Sequence, residues 1–503
     1  MLFNSPDFIF KFLPIALIGT WLLAGLGYRM AAFGWLTLTS IVFYGWFNPE
    51  YVILLFISIG VNYMFGERIL RHQANMESNI GRRWFLAGLI FNLGLLGWYK
   101  YANFFVDTIV ATGLSTISLP EILLPIGISF FTFQQIAYLM DCRAGIAHRS
   151  GILKYSLFVV YFPQLIAGPI VHPNSILPQF ENEKALRFNI GHFCDGLTIF
   201  LLGLGKKVIL ADALSAWATE GFEAVASGKA LTLVEAWAAV LSYTLQIYFD
   251  FSGYSDMAIG LALMVGIRLP INFNSPYQAK NIIDFWRRWH ITLSTFLRDY
   301  LYIPLGGNRS GPTRRWVNLF ITMLLGGLWH GAGWTFVLWG GLHGLYLAAN
   351  HAWSDARRRW IFPNQTFGIG GRLLAWFTMM LGVMVAWVFF RASDITSALA
   401  VLKGMSGLNG MALPEELKSM IPTIVGEHIQ WTQGLPNLAS GSRTGLAEVL
   451  GYLALASGIA IFCKPLHRLK PSTRRLLLIP VAALALQKVI VSSSPSEFLY
   501  FQF

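Results

Sequence analysis

Residues 316–353, WVNLFITMLLGGLWHGAGWTFVLWGGLHGLYLAANHAW, contain no Asp, Glu, Lys or Arg and follow directly on Arg314 and Arg315. A bilayer core of roughly 30 Å needs about 20 apolar residues of helix, so this stretch reads as membrane-embedded helix. His330 lies inside it, fifteen residues past Arg315, which is about 22 Å along a continuous helix. An ionisable side chain at that depth is costly in lipid and by default faces a cavity, a partner or a substrate path. Gly326, Gly327, Gly331 and Gly333 surround it. They would admit either a closely approaching substrate or a closely packed neighbouring helix.

The same solvent preference extends outward in both directions. The chain has 503 residues, 55% hydrophobic and only 12% charged, with mean hydropathy +0.55, against roughly 25% charged in soluble proteins. Apolar runs at 8–27, 31–47, 51–65, 84–105, 122–140, 231–249, 336–349, 373–390, 445–462 and 476–491 are span candidates. Within 155–210 and 253–305 the runs are broken by Pro, Gly and charge, as in re-entrant or tilted helices shielded by protein. The expectation is an all-α polytopic membrane protein in which the first run, lacking a basic leader and cleavage site, is a span and not a signal peptide.

Orientation follows from loop charge. The loops 67–83 and 464–475 are rich in Arg and Lys and are expected to be cytoplasmic. The long loop 394–443 has no such bias and is expected outside, together with the C-terminal tail. The net charge of +12 is spread over short loops between apolar runs, which excludes nucleic acid as the natural partner and leaves membrane lipids. Cys142, Cys194 and Cys463 form no CxxC pair, so neither a metal centre nor a disulfide framework is expected.

Residues 280–315 carry Lys280, Arg287, Arg288, Arg298, Arg309, Arg314 and Arg315 against Asp284 and Asp299. Trp286, Trp289 and Tyr300 interleave with these cations. Two readings stand: an interfacial anchor at headgroup depth, or a basic mouth for an anionic acyl donor such as a coenzyme A thioester, whose phosphates pair well with Arg. Asp250 and Asp256, in YFDFSGYSDMAIG at 248–260, and Asn274 form a third polar cluster. Its carboxylates either conduct cations or fix arginines such as Arg287 in ion pairs. His330 suits general-base chemistry because neutral imidazole is available at cellular pH. His290, expected near the surface, is its rival, and His343 and His351 are expected as hydrogen-bonded core residues, with support of His330 as the alternative.

The segments 248–260, 285–309 (FWRRWHITLSTFLRDYLYIPLGGNR) and 324–344 (LLGGLWHGAGWTFVLWGGLHG) strongly resemble the membrane-bound O-acyltransferase family, in its bacterial alginate O-acetylase branch. The likeness continues through KYANFFVDTI, LLPIGISFFTFQQIAYLMD and FPQLIAGPI, and so covers most of residues 1–392. It implies roughly 11–13 transmembrane or re-entrant helices around a tunnel, with His330 in WHG as the catalytic histidine and His290 in WHITLS as the second characteristic position. Arg287, Arg288, Trp286, Arg298, Asp299, Asp250, Asp256, Asn274 and Trp329 are the expected donor-binding or supporting residues. It implies acetyl-CoA as donor substrate with no bound cofactor, an extracytoplasmic polysaccharide as acceptor (alginate, with cellulose or peptidoglycan as variants), an extracytoplasmic acetyltransferase partner, and the bacterial inner membrane. A transporter of acyl donor or polymer without chemistry is the competing class. Residues 393–503 are expected to form an outer loop, two further spans and a tail. That tail, SSSPSEFLYFQF at 492–503, resembles the Phe-Ile-Tyr-type end of a small membrane partner in teichoic-acid D-alanylation. The resemblance makes Tyr500 an acyl-carrier candidate; an aromatic interfacial anchor is the alternative.

Overall fold

Where lipid offers no hydrogen-bond partners, a backbone must satisfy its own N–H and C=O groups within helices or closed sheets, and this chain uses helices. The computed structural model describes residues 1–72, 79–147, 149–309, 311–357, 368–415, 418, 429–432, 435–438, 446–492 and 495–499. Among the described residues the only strands are Met411–Pro414 and Ile429–Thr432, a parallel pair with Met411 opposite Ile429. The protein is thus an all-α membrane protein, as its sequence leads one to expect. Helices Phe8–Gly25, Glu50–His72 and Ile369–Arg391 meet the length and composition needed to cross a bilayer. Their polarity is inside out. In Ile369–Arg391, Leu373, Leu374 and Phe377 are more than half exposed while Val383 and Trp387 are buried, the arrangement lipid permits and water penalises.

The chain divides into two compact units, both discontinuous. The first comprises Met1–Gly205, Gly253–Asn272 and Lys470–Phe503. Here Arg29–Gly45 packs on the helix before it and Asn79–Leu96 packs on Glu50–His72. The latter pair is fastened by a buried exchange, Asn62 Nδ2 to Asn92 Oδ1 at 3.2 Å and Asn92 Nδ2 to Asn62 Oδ1 at 2.6 Å. Polar cross-links of this kind hold helices together where the hydrophobic effect cannot. The last helix, Pro471–Val491, returns to lie along Ile190–Gly205. Asn4 Nδ2 then donates to the Ser496 carbonyl at 2.9 Å, joining the two ends of the chain. These units group residues by packing, whereas the division near residue 392 rests on the reach of the family likeness.

The second unit comprises Lys206–Ser252 and Phe273–Leu469. Its centre is a helical hairpin, Gly311–His330 followed by Trp334–Ala356. A Cβ at Gly327 would run into the Phe336 carbonyl and Gly340; one at Gly340 would run into the Met323 carbonyl. The two backbones therefore touch, as only glycine allows. Lys207 lies in a π-helical turn, Lys206–Ala211. Its Nζ sits 2.6 Å from Asp250 and 2.9 Å from Asp212, with the Lys207 and Asp250 side chains only 3% and 2% exposed. Asp250 belongs to the long helix Leu233–Met264.

Candidate active site

His330 is the last residue of its helix, and Gly331 and Gly333 carry the turn into the return helix. Its side chain is enclosed by protein, with ring centroids of Trp329 at 4.9 Å, Trp339 at 5.0 Å and Phe390 at 5.3 Å. His290 approaches from the junction of two short helices, Ile282–Trp286 and Ile291–Leu297. It caps the second with φ 42° and ψ 54°, a left-handed conformation. Such a residue persists only where its surroundings over-determine it, and such strain gathers at functional sites. Phe251 meets its ring edge-on at 4.7 Å, and the His290 and His330 rings are 6.3 Å apart.

Burial here departs from expectation. His290 is 0% exposed and Trp286 and Trp289 are 8% and 2% exposed, where the sequence suggested a position near the surface. The reason is local: two short helices turn the aromatic side chains of 285–290 inward instead of laying them along the headgroups. Arg287, in contrast, is exposed.

A third histidine, His343, is linked to His330 through Trp339, which meets both rings. Nδ1 of His343 accepts a hydrogen bond from Trp286 Nε1 at 3.3 Å, which leaves the proton of a neutral ring on Nε2. His343 stacks edgewise on Trp339 at 4.9 Å. Neither His343 Nε2 nor Trp339 Nε1 has a hydrogen-bond partner among the described residues, though both are buried. Buried donors of this kind are free to donate to a group that reaches them. Sequence reasoning left His343 as a core residue and passed over Trp339. Their four-residue spacing, which places them on one helix face, was the available signal.

Beside the cluster, a cavity of about 610 Å3 is lined by Trp286, Arg287, Arg298, Tyr302, Arg315 and Met323, among others. Leu319 and Met323 belong to this lining, and with His330 they follow helical spacing along one face. The seven residues from Met323 to His330 span about 10 Å. The arginines differ in their commitments. Arg298 Nε pairs with Asp299 at 2.7 Å and Arg315 with Asp355 at 2.8 Å, whereas Arg287 has no ion-pair partner among the described residues. Arg288 is held by Asp284 at 2.9 Å and by the Asn274 carbonyl at 3.4 Å. Burial opposes the Asp284 charge, but the Arg288 guanidinium and the Lys280 N–H outweigh it and hold the carboxyl below its ordinary range.

The carboxylate pair of 248–260 does not form a joint site. Asp250 is matched to Lys207, where Arg287 had been the expected kind of partner. Asp256, six residues on, points about 120° away around the helix and is half-buried. The glycines near His330 serve packing: Gly327 meets Gly340, and a Cβ at Gly331 would strike the Phe336 ring. His148, His428 and Tyr500 lie outside the described residues. Just before Tyr500, Phe498 is 1% exposed and meets Tyr254 at 4.6 Å, so this ring packs into protein and does not anchor in lipid.

A family model described as MBOAT, membrane-bound O-acyltransferase family, matches residues 110–390, a range that contains His290, His330, His343 and the basic cavity. Over 440 residues the chain is 45% identical to a peptidoglycan O-acetyltransferase of Helicobacter pylori, covering 82% of this chain and 81% of that protein. It is 42% identical over 422 residues to a probable alginate O-acetylase of Pseudomonas aeruginosa, covering 82% and 76%. Against a probable alginate O-acetylase of Azotobacter vinelandii it is 38% identical with 100% of both chains covered.

Proposed function

Since this chain belongs to the membrane-bound O-acyltransferase family and is an acyltransferase, we propose that it carries acetyl groups from cytosolic acetyl-CoA across a bacterial inner membrane for O-acetylation of an extracytoplasmic polysaccharide, alginate first, with His330 as general base. The observation that supports this reading is the helix face that Leu319 and Met323, in the lining of the arginine-rich cavity, share with His330. Arg287, Arg298 and Arg315 would hold the donor's phosphates. The thioester end would then extend toward the imidazole. Neutral His330 takes the proton from an acceptor hydroxyl as its oxygen attacks the thioester carbonyl; the C–S bond breaks and the coenzyme A thiolate leaves, taking up a proton. The buried Trp339 and His343 N–H groups are suited to the developing oxyanion. A transporter without chemistry is set aside by the enzyme class.

Peptidoglycan as acceptor is the second reading, favoured by the 45% identity to the Helicobacter pylori protein; the full-length match to the Azotobacter vinelandii protein favours alginate. Tyr500 would act as an intermediate carrier, receiving acetyl at His330 and presenting it to an extracytoplasmic acetyltransferase. The docked Phe498 supports this by fixing the root of the tail.

The test is a deletion strain in which ester-linked acetate is measured on both polymers, complemented by wild type or by His330→Ala. Loss of a general base lowers rates by about 10²–10⁴-fold, so the variant is expected to leave the acceptor unacetylated. Restoration by His330→Ala sinks the mechanism. Intact mass after acetyl-CoA treatment addresses the tail: a label that persists in Tyr500→Phe rules out the carrier role.

A further inference from the structure

The first unit holds a second polar cavity, about 710 Å3, lined by Gln179, Lys184, Arg187, Phe188, His192 and Arg268, among others, with no carboxylate in its lining. Its walls are fixed by hydrogen bonds between side chains and backbone. Gln179 accepts from the Arg268 N–H at 2.8 Å and donates to the Arg268 carbonyl at 3.0 Å, riveting the segment after the long helix to Pro173–Glu181. Arg29 donates to the Phe180 and Asn182 carbonyls. Asn182 Oδ1 accepts from the Lys184 N–H at 2.9 Å, and Asn189 Oδ1 from the His192 N–H at 3.0 Å.

Between these turns Leu186 has φ 65° with its side chain 0% exposed. A bulky residue in the left-handed region is an outlier that survives only where its setting demands it. Here the buried leucine pins the loop, and its neighbours Lys184 and Arg187 line the cavity. These three exposed cations, with no acid in the lining, present a positive mouth suited to an anion. Among the described residues Lys184, Arg187 and Arg268 are in no ion pair; Glu181 is taken by Lys154 at 2.6 Å, and exposed Glu183 lies outside the lining. One flank is amphipathic. Phe188, 52% exposed, packs with Trp21 at 5.0 Å, and Ile190 is 65% exposed. Aromatic rings beside cations and bare aliphatic surface mark headgroup depth.

We propose that this cavity binds a phosphate ester, and that its aromatic and aliphatic flank selects the headgroup of an anionic phospholipid, whose chains lie along Phe188 and Ile190. The proposal does not depend on the acyl-transfer reading. Native mass spectrometry of the full chain in detergent tests it, with phosphatidylglycerol, phosphatidylcholine and ADP as probes. Phosphatidylglycerol is expected to be retained over phosphatidylcholine, and ADP to leave it in place. Each Lys or Arg near a lipid surface contributes about fivefold in affinity, so Lys184→Gln with Arg187→Gln should weaken retention by roughly 25-fold. Arg268→Gln, whose rivet uses the main chain only, is the fold-safe variant and should weaken it about fivefold. Equal retention of the two lipids, or retention unchanged in these variants, overturns the proposal. Displacement by ADP overturns the lipid assignment and gives the site to a soluble phosphate ester.

Discussion

At the scale of single residues, His290 separates two demands that usually coincide. Its backbone is left-handed at φ 42°, while its imidazole faces Phe251 and lies 6.3 Å from His330. Asparagine tolerates the left-handed region and a β-branched residue does not. His290→Asn is therefore expected to keep a thermal midpoint near wild type while acetyl transfer falls by about 10²-fold. His290→Val should lose roughly 1–2 kcal/mol of stability as well. If His290→Asn transfers acetyl normally, the ring has no part in the chemistry. A residue strained in this way also has no signature in a single sequence. The WHITLS string points to His290, but the sign of a backbone dihedral is set by the short helices on either side of it.

Among elements, the hairpin of Gly311–His330 and Trp334–Ala356 carries the candidate site, since one arm holds His330 and the other Trp339 and His343. Gly340→Ala would force a methyl against the Met323 carbonyl and separate the arms. Overpacking of this kind costs about 1–3 kcal/mol, and transfer should fall with stability. Gly451→Ala, in helix Leu446–Phe462 with open space around it, should instead gain roughly 0.5–1 kcal/mol. Thermal unfolding in detergent compares the two; equal effects would show that backbone contact is not what those glycines provide. The helices themselves are legible in the sequence, because charge-free runs must be helical in lipid. Each apolar run read as a span has a helix within it. Their ends are less legible. The run at 122–140 starts its helix only at Ile128, after Gly127 in the left-handed region. The run at 231–249 continues to Met264 because Asp250, Ser252 and Ser255 are buried. Which face of an all-apolar helix turns inward cannot be read from periodicity, and so the partnership of Trp339 and His343 escapes notice. The basic cavity is half legible: its arginines stand out, but which of them converge depends on the irregular path of residues 298–309.

At the scale of the whole molecule, the charge of two separate loops leads to the same expected orientation. If 67–83 is cytoplasmic, three successive crossings put Asn4 on the opposite side. If 464–475 is cytoplasmic, helix Pro471–Val491 delivers Ser496 to that same opposite side, where Asn4 binds it. Cys463, exposed at the edge of the second loop, is expected to react with a membrane-impermeant maleimide in inverted vesicles and not in intact spheroplasts, in a Cys194→Ser background. Labelling in spheroplasts would reverse the orientation. The union of Asn4 with Ser496 also bears on biogenesis. Helix Ile190–Gly205 leaves the ribosome with its eventual neighbour Pro471–Val491 still unmade, and at about 5–20 residues per second the gap lasts some tens of seconds. Throughout that interval the early helices present an unfilled seat to the bilayer, vulnerable to membrane proteases. Stalled nascent chains lacking Pro471–Val491 should be degraded faster than chains that carry it, which makes this late segment the latch for an early one.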